Sequence, residues 1–222
     1  MDRLHRIRLL LGDENIKKLQ LKTVMVVGCG AVGSFAIESL ARSGIGNIIL
    51  VDFDVVEPTN INRQLFALQS TIGQPKVDVA AARIHDISPD INVTKFNMFW
   101  DDKSDPGVKP DFVIDAIDSV QSKIALYRWC AAKNIPFIAS MGAAQKTDMS
   151  AVKIAKISKT TVCPLAARIR KLVRGENLPD FPVVYSTQSP IKNETNTLGS
   201  MITVTGDFGL KLAGFAIENL IA

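Results

Sequence analysis

The feature that most constrains this chain is a short apolar run that turns through three glycines into a second apolar stretch. Residues 24–27 read Val-Met-Val-Val, and Gly28, Gly30 and Gly33 follow. Gly28 permits a tight turn, Gly30 lets a phosphate approach the backbone, and Gly33 lets the next helix pack closely on the strand. Backbone amides at the start of that helix would face an anion. The pattern predicts a βαβ unit that binds a nucleotide.

An aspartate closes the next apolar run. Asp52 lies 19 residues after Gly33, at the carboxyl end of the predicted second strand. This is the position from which a carboxylate accepts hydrogen bonds from ribose hydroxyls. Dehydrogenases, flavoproteins and nucleotidyl-transferring enzymes share this fingerprint, and a glycine turn without a ligand also matches it. The residues after Asp52 therefore decide among these classes.

Two cations follow the aspartate. A dinucleotide needs only the glycine turn for its phosphates, whereas a triphosphate needs further cations to offset the charge on the leaving pyrophosphate. Arg63 offers a planar fork for phosphate oxygens, and Lys76 offers a point charge. The alternative is that both are solvated surface cations, which is the usual fate of these residue types. Their place beyond a nucleotide fingerprint favours ATP.

Five segments resemble, in order and spacing, the ATP site of the E1-like adenylating superfamily, which includes ThiF, MoeB and the ubiquitin-activating enzymes. They are residues 28–34, 52–54, 60–64, 73–76 and 115–118. Residues 41–46, 115–120 and 164–170 resemble its TcdA-type branch, the tRNA threonylcarbamoyladenosine dehydratases. This resemblance implies adenylation of the threonyl carboxylate on adenosine 37 of tRNA by ATP, with Mg²⁺, followed by ring closure and release of AMP.

The resemblance also implies roles for single residues. Asp52 would hold the ribose, and Asp118 would help to bind Mg²⁺. Arg6 would reach the nucleotide of the partner subunit in a homodimer, with Arg3 or Arg8 as alternatives. The residues with an implied catalytic role are Arg6, Arg63, Lys76 and Asp118. The implied nucleotide-binding set is Gly28, Gly30, Ala31, Gly33, Asp52, Asp54, Asn60, Arg63, Gln64 and Lys76.

The position of Asp118 has an argument of its own. Residues 112–115 predict a buried parallel strand, so a carboxylate just past it lies at the edge where open α/β sheets bind ligands. Magnesium favours one or two carboxylates together with substrate phosphates. Alternatively, Asp118 caps the helix that is predicted to begin near Ser119.

The three cysteines argue against both a disulfide framework and a zinc site. Cys29, Cys130 and Cys163 are widely spaced. Sulfur-carrier activators of the ThiF and MoeB kind hold zinc with two Cys-x-x-Cys pairs, so no structural zinc is expected here. Cys29 and Cys130 are predicted to be packing residues. Cys163 precedes Pro164, which predicts a thiol at a helix N-terminus, although relatives in the dehydratase branch carry an acidic residue near this point.

The alternation of elements predicts an α/β fold: a doubly wound, Rossmann-like, mostly parallel sheet with helices on both faces and a mixed C-terminal extension. Predicted strands are 23–27, 47–51, 92–96, 112–115, 136–139, 151–157 and 183–187. Predicted helices are 32–43, 76–87, 119–134, 164–174 and 200–220. Residues 1–222 are expected to form one ATP-binding domain. The segment 188–198 is a candidate mobile loop that either covers the site or connects elements.

Charge and hydropathy limit the classes of partner that the protein can have. The chain has 26 basic and 22 acidic residues, a mild excess that permits a polyanionic partner without requiring one. No apolar run approaches the roughly 20 residues that span a bilayer, so we expect a cytoplasmic protein without a membrane partner. The helix predicted at 164–174 carries four cations, Arg168, Arg170, Lys171 and Arg174. These cations form either a solvated face or a contact with tRNA. The resemblance implies a tRNA that decodes ANN codons.

Two other functions stay open. The first is an activator of a ubiquitin-like or sulfur-carrier protein, which would adenylate a C-terminal carboxylate at the same ATP site; the missing zinc cysteines argue against it. The second is a nucleotide-loaded scaffold for RNA or protein without catalysis, which Arg63, Lys76 and Asp118 argue against. No base for ring closure is evident, because His5 and His85 both lie away from the motifs.

Overall fold

The computed structural model describes residues 2–192 and 197–222. Within them, the strands are β1 (Thr23–Val27), β2 (Asn47–Asp52), β3 (Asn92–Asn97), β4 (Phe112–Asp115), β5 (Phe137–Ser140), β6 (Val152–Lys156) and β7 (Pro182–Ser186). The α-helices are α1 (His5–Leu11), α2 (Asp13–Leu21), α3 (Gly33–Arg42), α4 (Lys76–Ile87), α5 (Val120–Lys133), α6 (Pro164–Gly175) and α7 (Ile202–Ile221). None of these helices is long and apolar enough to cross a membrane.

All strands belong to one sheet with the order β3-β2-β1-β4-β5-β7-β6. Every neighbouring pair from β3 to β7 is parallel, and β6 alone among these strands runs antiparallel to its neighbour. The strand order reverses at β1, so a crevice opens at the carboxyl ends of β1 and β4, where sheets of this type bind ligands. The predicted fold class, with its mixed C-terminal edge, is confirmed.

Helices cover both faces of the sheet, as the apolar strands require. On one face, Leu40 of α3 and Leu212 of α7 are completely buried in one apolar core with Ile48 of β2. On the other face, Leu126 of α5 and Ile169 of α6 are completely buried in a second core. The sheet is therefore held between two apolar layers, and its carboxyl edge is fixed from both sides.

The structure departs from the sequence predictions mainly at the beginning of the chain. The sequence pattern predicts no element before residue 23, yet α1 and α2 form there. Ile16 and Leu19 of α2 are completely buried, and Ile7 and Leu11 of α1 are partly buried against the same core. Elsewhere the predicted boundaries shift by one or two residues. The helix predicted from residue 119 begins at Val120, since Ser119 is its N-cap and accepts a hydrogen bond from Ser122 N at 3.4 Å.

Candidate active site

A cavity of about 440 Å³ opens at the carboxyl ends of β1, β2, β4 and β5. Its walls are the glycine turn after β1, residues 52–54 after β2, residues 116–119 after β4 and residues 140–144 after β5. Arg63 and Gln64, from the segment between β2 and α4, and Lys76, the first residue of α4, also line it. The cavity therefore lies in the crevice that the reversal of strand order creates.

The three glycines of the first turn serve different steric purposes. A Cβ on Gly33 would lie 1.8 Å from the carbonyl oxygen of Gly28, so only glycine lets α3 approach the strand this closely. Gly28 has a φ of +96°, and a Cβ there would lie 2.6 Å from the carbonyl oxygen of Ala116. A Cβ on Gly30 meets nothing closer than the Gln64 side-chain amide at 3.6 Å. Gly30 leaves space for a ligand, whereas the other two glycines permit the fold.

Asp52 connects the turn after β1 to the turn after β2. Its Oδ2 accepts a hydrogen bond from the backbone of Cys29 at 2.6 Å, and its Oδ1 accepts one from the backbone of Asp54 at 2.9 Å. Burial raises the pKa of Asp52, while these two hydrogen bonds oppose the change. Each oxygen keeps a lone pair for a further donor, such as a ribose hydroxyl.

The cations of the cavity are held in different ways. Lys76 is 8% exposed, and its Nζ lies 2.6 Å from Oδ2 of Asp54. Arg63 donates to the carbonyl of Thr59 at 2.7 Å and to Oδ1 of Asn62 at 2.9 Å. No carboxylate among the described residues pairs with Arg63, so its positive charge is available to a ligand.

Of the predicted nucleotide-binding residues, Gly33 and Asn60 do not line the cavity, and Asn60 has a structural role. It is buried, and its Oδ1 accepts a hydrogen bond from the backbone of Glu57 at 3.2 Å. Its carbonyl accepts from the backbone amides of Arg63 and Gln64 at 3.1 and 2.9 Å. In this structure Asn60 therefore shapes the turn that presents Arg63 and Gln64.

Asp118 is exposed on the cavity wall and has no hydrogen-bond or ion-pair partner within the described part of the chain. The alternative that it caps α5 is wrong, because Ser119 does so. Among the described residues, no group of three or more His, Cys, Asp or Glu side chains is arranged to hold a metal. A lone, unpaired carboxylate beside a phosphate-binding turn nevertheless fits Mg²⁺, which takes its remaining ligands from phosphates and water.

A buried polar network beneath the cavity was missed at the sequence level. Nζ of Lys123 lies 2.8 Å from Oδ2 of Asp115, and Tyr127 OH donates to the same oxygen at 2.6 Å. The lysine also donates to the carbonyl of Ser140 at 2.7 Å, which connects α5 to β5. The sequence does contain a signal for this network. Lys123 and Tyr127 lie four residues apart on one helix, and the strand before that helix ends in Asp115.

This network shapes the turn that carries Asp118. Oδ1 of Asp115 accepts a hydrogen bond from the backbone of Ile117 at 3.0 Å, and the backbone of Ala116 donates to the carbonyl of Val27 at 2.8 Å. Burial raises the pKa of Tyr127 well above its usual value, with the Asp115 charge acting in the same direction. Tyr127 is therefore a permanent donor, and the turn after β4 is held against the glycine turn.

The N-terminal arginines lie away from the cavity. Arg6 is exposed on α1, and it has no ion-pair or hydrogen-bond partner in the described ranges. Arg8 pairs with Asp2 at 3.0 Å and with Asp13 at 2.7 Å. Arg3 donates to the carbonyl of Ala41 at 3.5 Å. Of the three candidates for a role in a partner's site, Arg6 is the one that the fold leaves uncommitted.

The cysteines are all buried and free of disulfides. Burial raises the pKa of Cys29 and that of Cys130, which agrees with packing roles. Cys163 is the N-cap of α6, so its predicted place at a helix N-terminus is confirmed, but it is only 2% exposed. Of the segment 188–198, residues 193–196 lie outside the described residues, while Leu198 lines the cavity.

A doubly wound sheet with this cavity at the place where its strand order reverses defines a nucleotide-binding α/β protein. Comparison with known families makes the assignment specific. The chain belongs to the ThiF family, which matches residues 2–213.

Individual relatives narrow the comparison further. The chain is 48% identical to the tRNA threonylcarbamoyladenosine dehydratase of Bacillus subtilis over 192 residues, covering 84% of this chain and 75% of the relative. It is 37% identical to the enzyme of that name from Escherichia coli over 193 residues, covering 82% and 68%. Solved structures of the E. coli enzyme, TcdA, with AMP and with ATP superpose with TM-scores of 0.93 and 0.92 at 33% identity, covering 99% of this chain and 94% and 93% of theirs.

Proposed function

We propose that this protein is an ATP-dependent tRNA threonylcarbamoyladenosine dehydratase. The observation that carries the proposal is the cavity, which brings Asp52, Lys76, Arg63 and Asp118 together around a glycine turn. This arrangement suits a triphosphate that must lose pyrophosphate. The relatives named as dehydratases and the AMP and ATP complexes of TcdA support an adenylating enzyme of this kind.

The chemistry is carboxylate activation. An oxygen of the threonyl carboxylate attacks the α-phosphorus of ATP, the bond to the leaving pyrophosphate breaks, and an acyl-adenylate forms. A nucleophile of the same modification then attacks the acyl carbon, gives up its proton, and expels AMP. The net change in the tRNA is the loss of one water.

The residues of the chain act by position and charge. Asp52 orients the ribose, and the amides after Gly28 face the phosphates. Arg63 and Lys76 offset the charge that develops on pyrophosphate. Asp118 would hold Mg²⁺, which when bound neutralises phosphate charge. For ring closure, the cavity contributes mainly by holding the two ends of the modification together.

The tRNA contact is proposed for α6. Ile169 and Val173 are buried, so the apolar stripe of this helix packs on the protein. Three of its cations are exposed and have no ion pair with any described residue: Arg168, Lys171 and Arg174. The whole stretch 149–175 has seven cations and no acidic residue, which suits an RNA backbone. The proposed substrate is an ANN-decoding tRNA with threonylcarbamoyladenosine at position 37.

The assembly follows from Arg6. We propose a homodimer in which Arg6 of each subunit reaches the nucleotide of the other, because nothing within the described part of one chain engages it. Residues 1–222 would act as a single adenylation domain. A cytoplasmic location is proposed because its tRNA substrate is found there.

The second candidate is an activator of a ubiquitin-like or sulfur-carrier protein. The chain is 37% identical to an E. coli molybdopterin-synthase adenylyltransferase over 129 residues, which covers 57% of this chain and 51% of the relative. The same cavity would adenylate the C-terminal carboxylate of a small carrier. A nucleotide-loaded scaffold without catalysis would bind ATP and release no pyrophosphate.

Pyrophosphate release separates these functions. The purified protein with Mg²⁺ and ATP is given tRNA carrying threonylcarbamoyladenosine, the same tRNA without the modification, or a small carrier protein. We expect pyrophosphate, AMP and a tRNA lighter by one water with the modified tRNA alone. Turnover with the carrier protein instead would overturn the dehydratase proposal. Stabilisation against heat by NAD or FAD, and not by Mg-ATP, would overturn the ATP site itself.

A further inference from the structure

The first turn of α6 has two amide donors without acceptors among the described residues, and one of them is buried. This helix of 12 residues begins at the cavity, where Leu165 forms part of the wall. Its N-cap, Cys163, makes no side-chain capping hydrogen bond. The backbone amides of Leu165 and Ala166 have no acceptor within the described residues, and Ala166 is completely buried. Buried backbone donors are almost always satisfied, so the Ala166 amide needs an acceptor from beyond the described residues.

A buried cation lies beside this turn. Lys146 is 3% exposed, and no carboxylate in the described ranges pairs with it. Its one hydrogen bond there is a long one, 3.5 Å, to the carbonyl of Ala144. Burial lowers the pKa of Lys146, while the neighbouring Cys163 acts in the opposite direction. An ammonium group without a counter-charge is costly to bury, so a partner for it is expected from beyond the described residues.

The two features meet at the same wall of the cavity. A Cβ on Gly142 would lie 3.5 Å from Sγ of Cys163 and 3.7 Å from Cβ of Leu165. The loop from Gly142 to Lys146 therefore packs directly on the first turn of α6. Gly142 and Ala144 line the cavity together with Leu165, so this wall is continuous with the candidate active site.

We propose that Lys146 and the first turn of α6 form a binding site for an anionic oxygen group of the acceptor substrate, a carboxylate or a phosphate. A helix N-terminus and an ammonium group both stabilise such a group, and neither is used by the nucleotide-binding residues described above. The assignment to the acceptor rests on the proposed function. The site would hold either the carboxylate of the threonyl group or a phosphate next to the modified nucleotide.

Small anions test the site directly. The backbone amide of Ala166 is followed by NMR while N-carbamoyl-L-threonine, its neutral carboxamide or inorganic phosphate is added. We expect the Ala166 amide to respond to the carboxylate or the phosphate and not to the carboxamide. Lys146→Met should weaken this binding by about tenfold or more, because methionine cannot donate a charge-assisted hydrogen bond to the anion. Lys153→Met, which changes an exposed lysine of β6, should leave it unchanged.

Affinity for tRNA then identifies the source of the anion. If the group is the carboxylate, Lys146→Met weakens binding of the modified tRNA only, by about tenfold. If it is a phosphate, binding of unmodified tRNA weakens equally. Lys146→Arg keeps the charge and should restore part of the affinity. Stabilisation by Mg-ATP should be the same in all variants, which shows that they are folded.

Two outcomes would overturn the proposal. One is an Ala166 amide that responds to none of the anions in the unmodified protein. The other is a Lys146→Met variant that binds anions and both tRNAs as well as the unmodified protein does. Failure of the proposed function would give a different result from failure of the anion site. The unmodified protein would release no pyrophosphate with modified tRNA, but the Ala166 amide would still respond to the anions.

Discussion

Lys123 and Asp115 form an ion pair of 2.8 Å in which both side chains are completely inaccessible to solvent. The pair joins α5 to the end of β4, and the Lys123 contact with the carbonyl of Ser140 extends it to β5. Because Asp115 also fixes the backbone of Ile117, this buried pair determines where the cavity wall with Asp118 lies. Loss of this ion pair would therefore also change the geometry of the candidate active site.

Removing Lys123 should be far more costly than removing an exposed lysine of the same helix. Lys123→Met leaves the Asp115 charge unpaired in the interior, which should lower the free energy of unfolding by roughly 3–5 kcal/mol. Lys133→Met breaks the exposed pair with Asp105 and should cost less than about 1 kcal/mol. Tyr127→Phe should fall between them, at about 1–3 kcal/mol. Urea denaturation measures all three, and equal losses for Lys123 and Lys133 would contradict the role of the pair.

Alanine substitutions of the glycines should separate effects on folding from effects on ligand binding. Gly33→Ala places a Cβ 1.8 Å from a backbone oxygen, so the variant should be unfolded or strongly destabilised. Gly30→Ala has room within the protein and should fold, but its methyl group fills the phosphate space and should abolish stabilisation by Mg-ATP. Gly175→Ala, whose Cβ meets nothing within 4 Å, is the control. A Gly30→Ala variant with normal ATP binding would remove the glycine turn from the site.

The charged residues of the cavity should act on the chemical step. Arg63→Ala, Lys76→Ala and Asp118→Ala should each lower the rate of pyrophosphate release by roughly a hundredfold or more, without unfolding the protein. Lys76→Ala should be the most severe, since it leaves the Asp54 carboxylate unopposed beside the phosphates. The double variant Asp54→Ala, Lys76→Ala should then regain part of the rate. Lys95→Ala, on the far strand β3, should behave like the unmodified protein, and near-normal activity of Asp118→Ala would exclude Asp118 from the site.

The proposed dimer should show complementation between subunits. Arg6→Ala and Asp118→Ala should each be inactive alone, and a mixture of the two chains should recover part of the activity, because one site in each hybrid dimer is intact. Sedimentation should give a dimer, and metal analysis should find no stoichiometric zinc. A monomer at assay concentration, or a mixture without recovery, would count against the role of Arg6 in the partner's site.

The exposed cations of α6 should govern the salt dependence of tRNA binding. Arg168→Gln, Lys171→Gln and Arg174→Gln should each weaken binding and reduce the slope of log Kd against log salt concentration by about one for every phosphate that is no longer neutralised. Arg170→Gln should instead lower thermal stability, because Arg170 donates to the carbonyl of Thr160 at 2.8 Å. ATP binding should be unchanged in all four variants. Salt slopes that equal that of the unmodified protein would show that α6 does not contact tRNA.

Local patterns in the sequence determined the fold class and the position of the nucleotide site. The glycine turn, the apolar strands and Asp52 can be recognised in the sequence because each depends on a local pattern. The turn depends on backbone conformation, and the strands depend on the periodicity of neighbouring residues. Arg63, Lys76 and Asp118 could be predicted for the same reason, since each follows one of these elements at a short distance. The structure brings all of them to one cavity.

The tertiary structure alone decided which side chains meet beneath and beside that cavity. The Asp115–Lys123 pair joins different elements, and Lys146 meets the first turn of α6 only because the loop after β5 packs there. Likewise, α2 forms because Ile16 and Leu19 are buried against the rest of the protein, and Ile7 and Leu11 of α1 pack against the same core. Such contacts depend on strand order and helix packing, and the free energy of a buried charge depends on partners far away in the sequence.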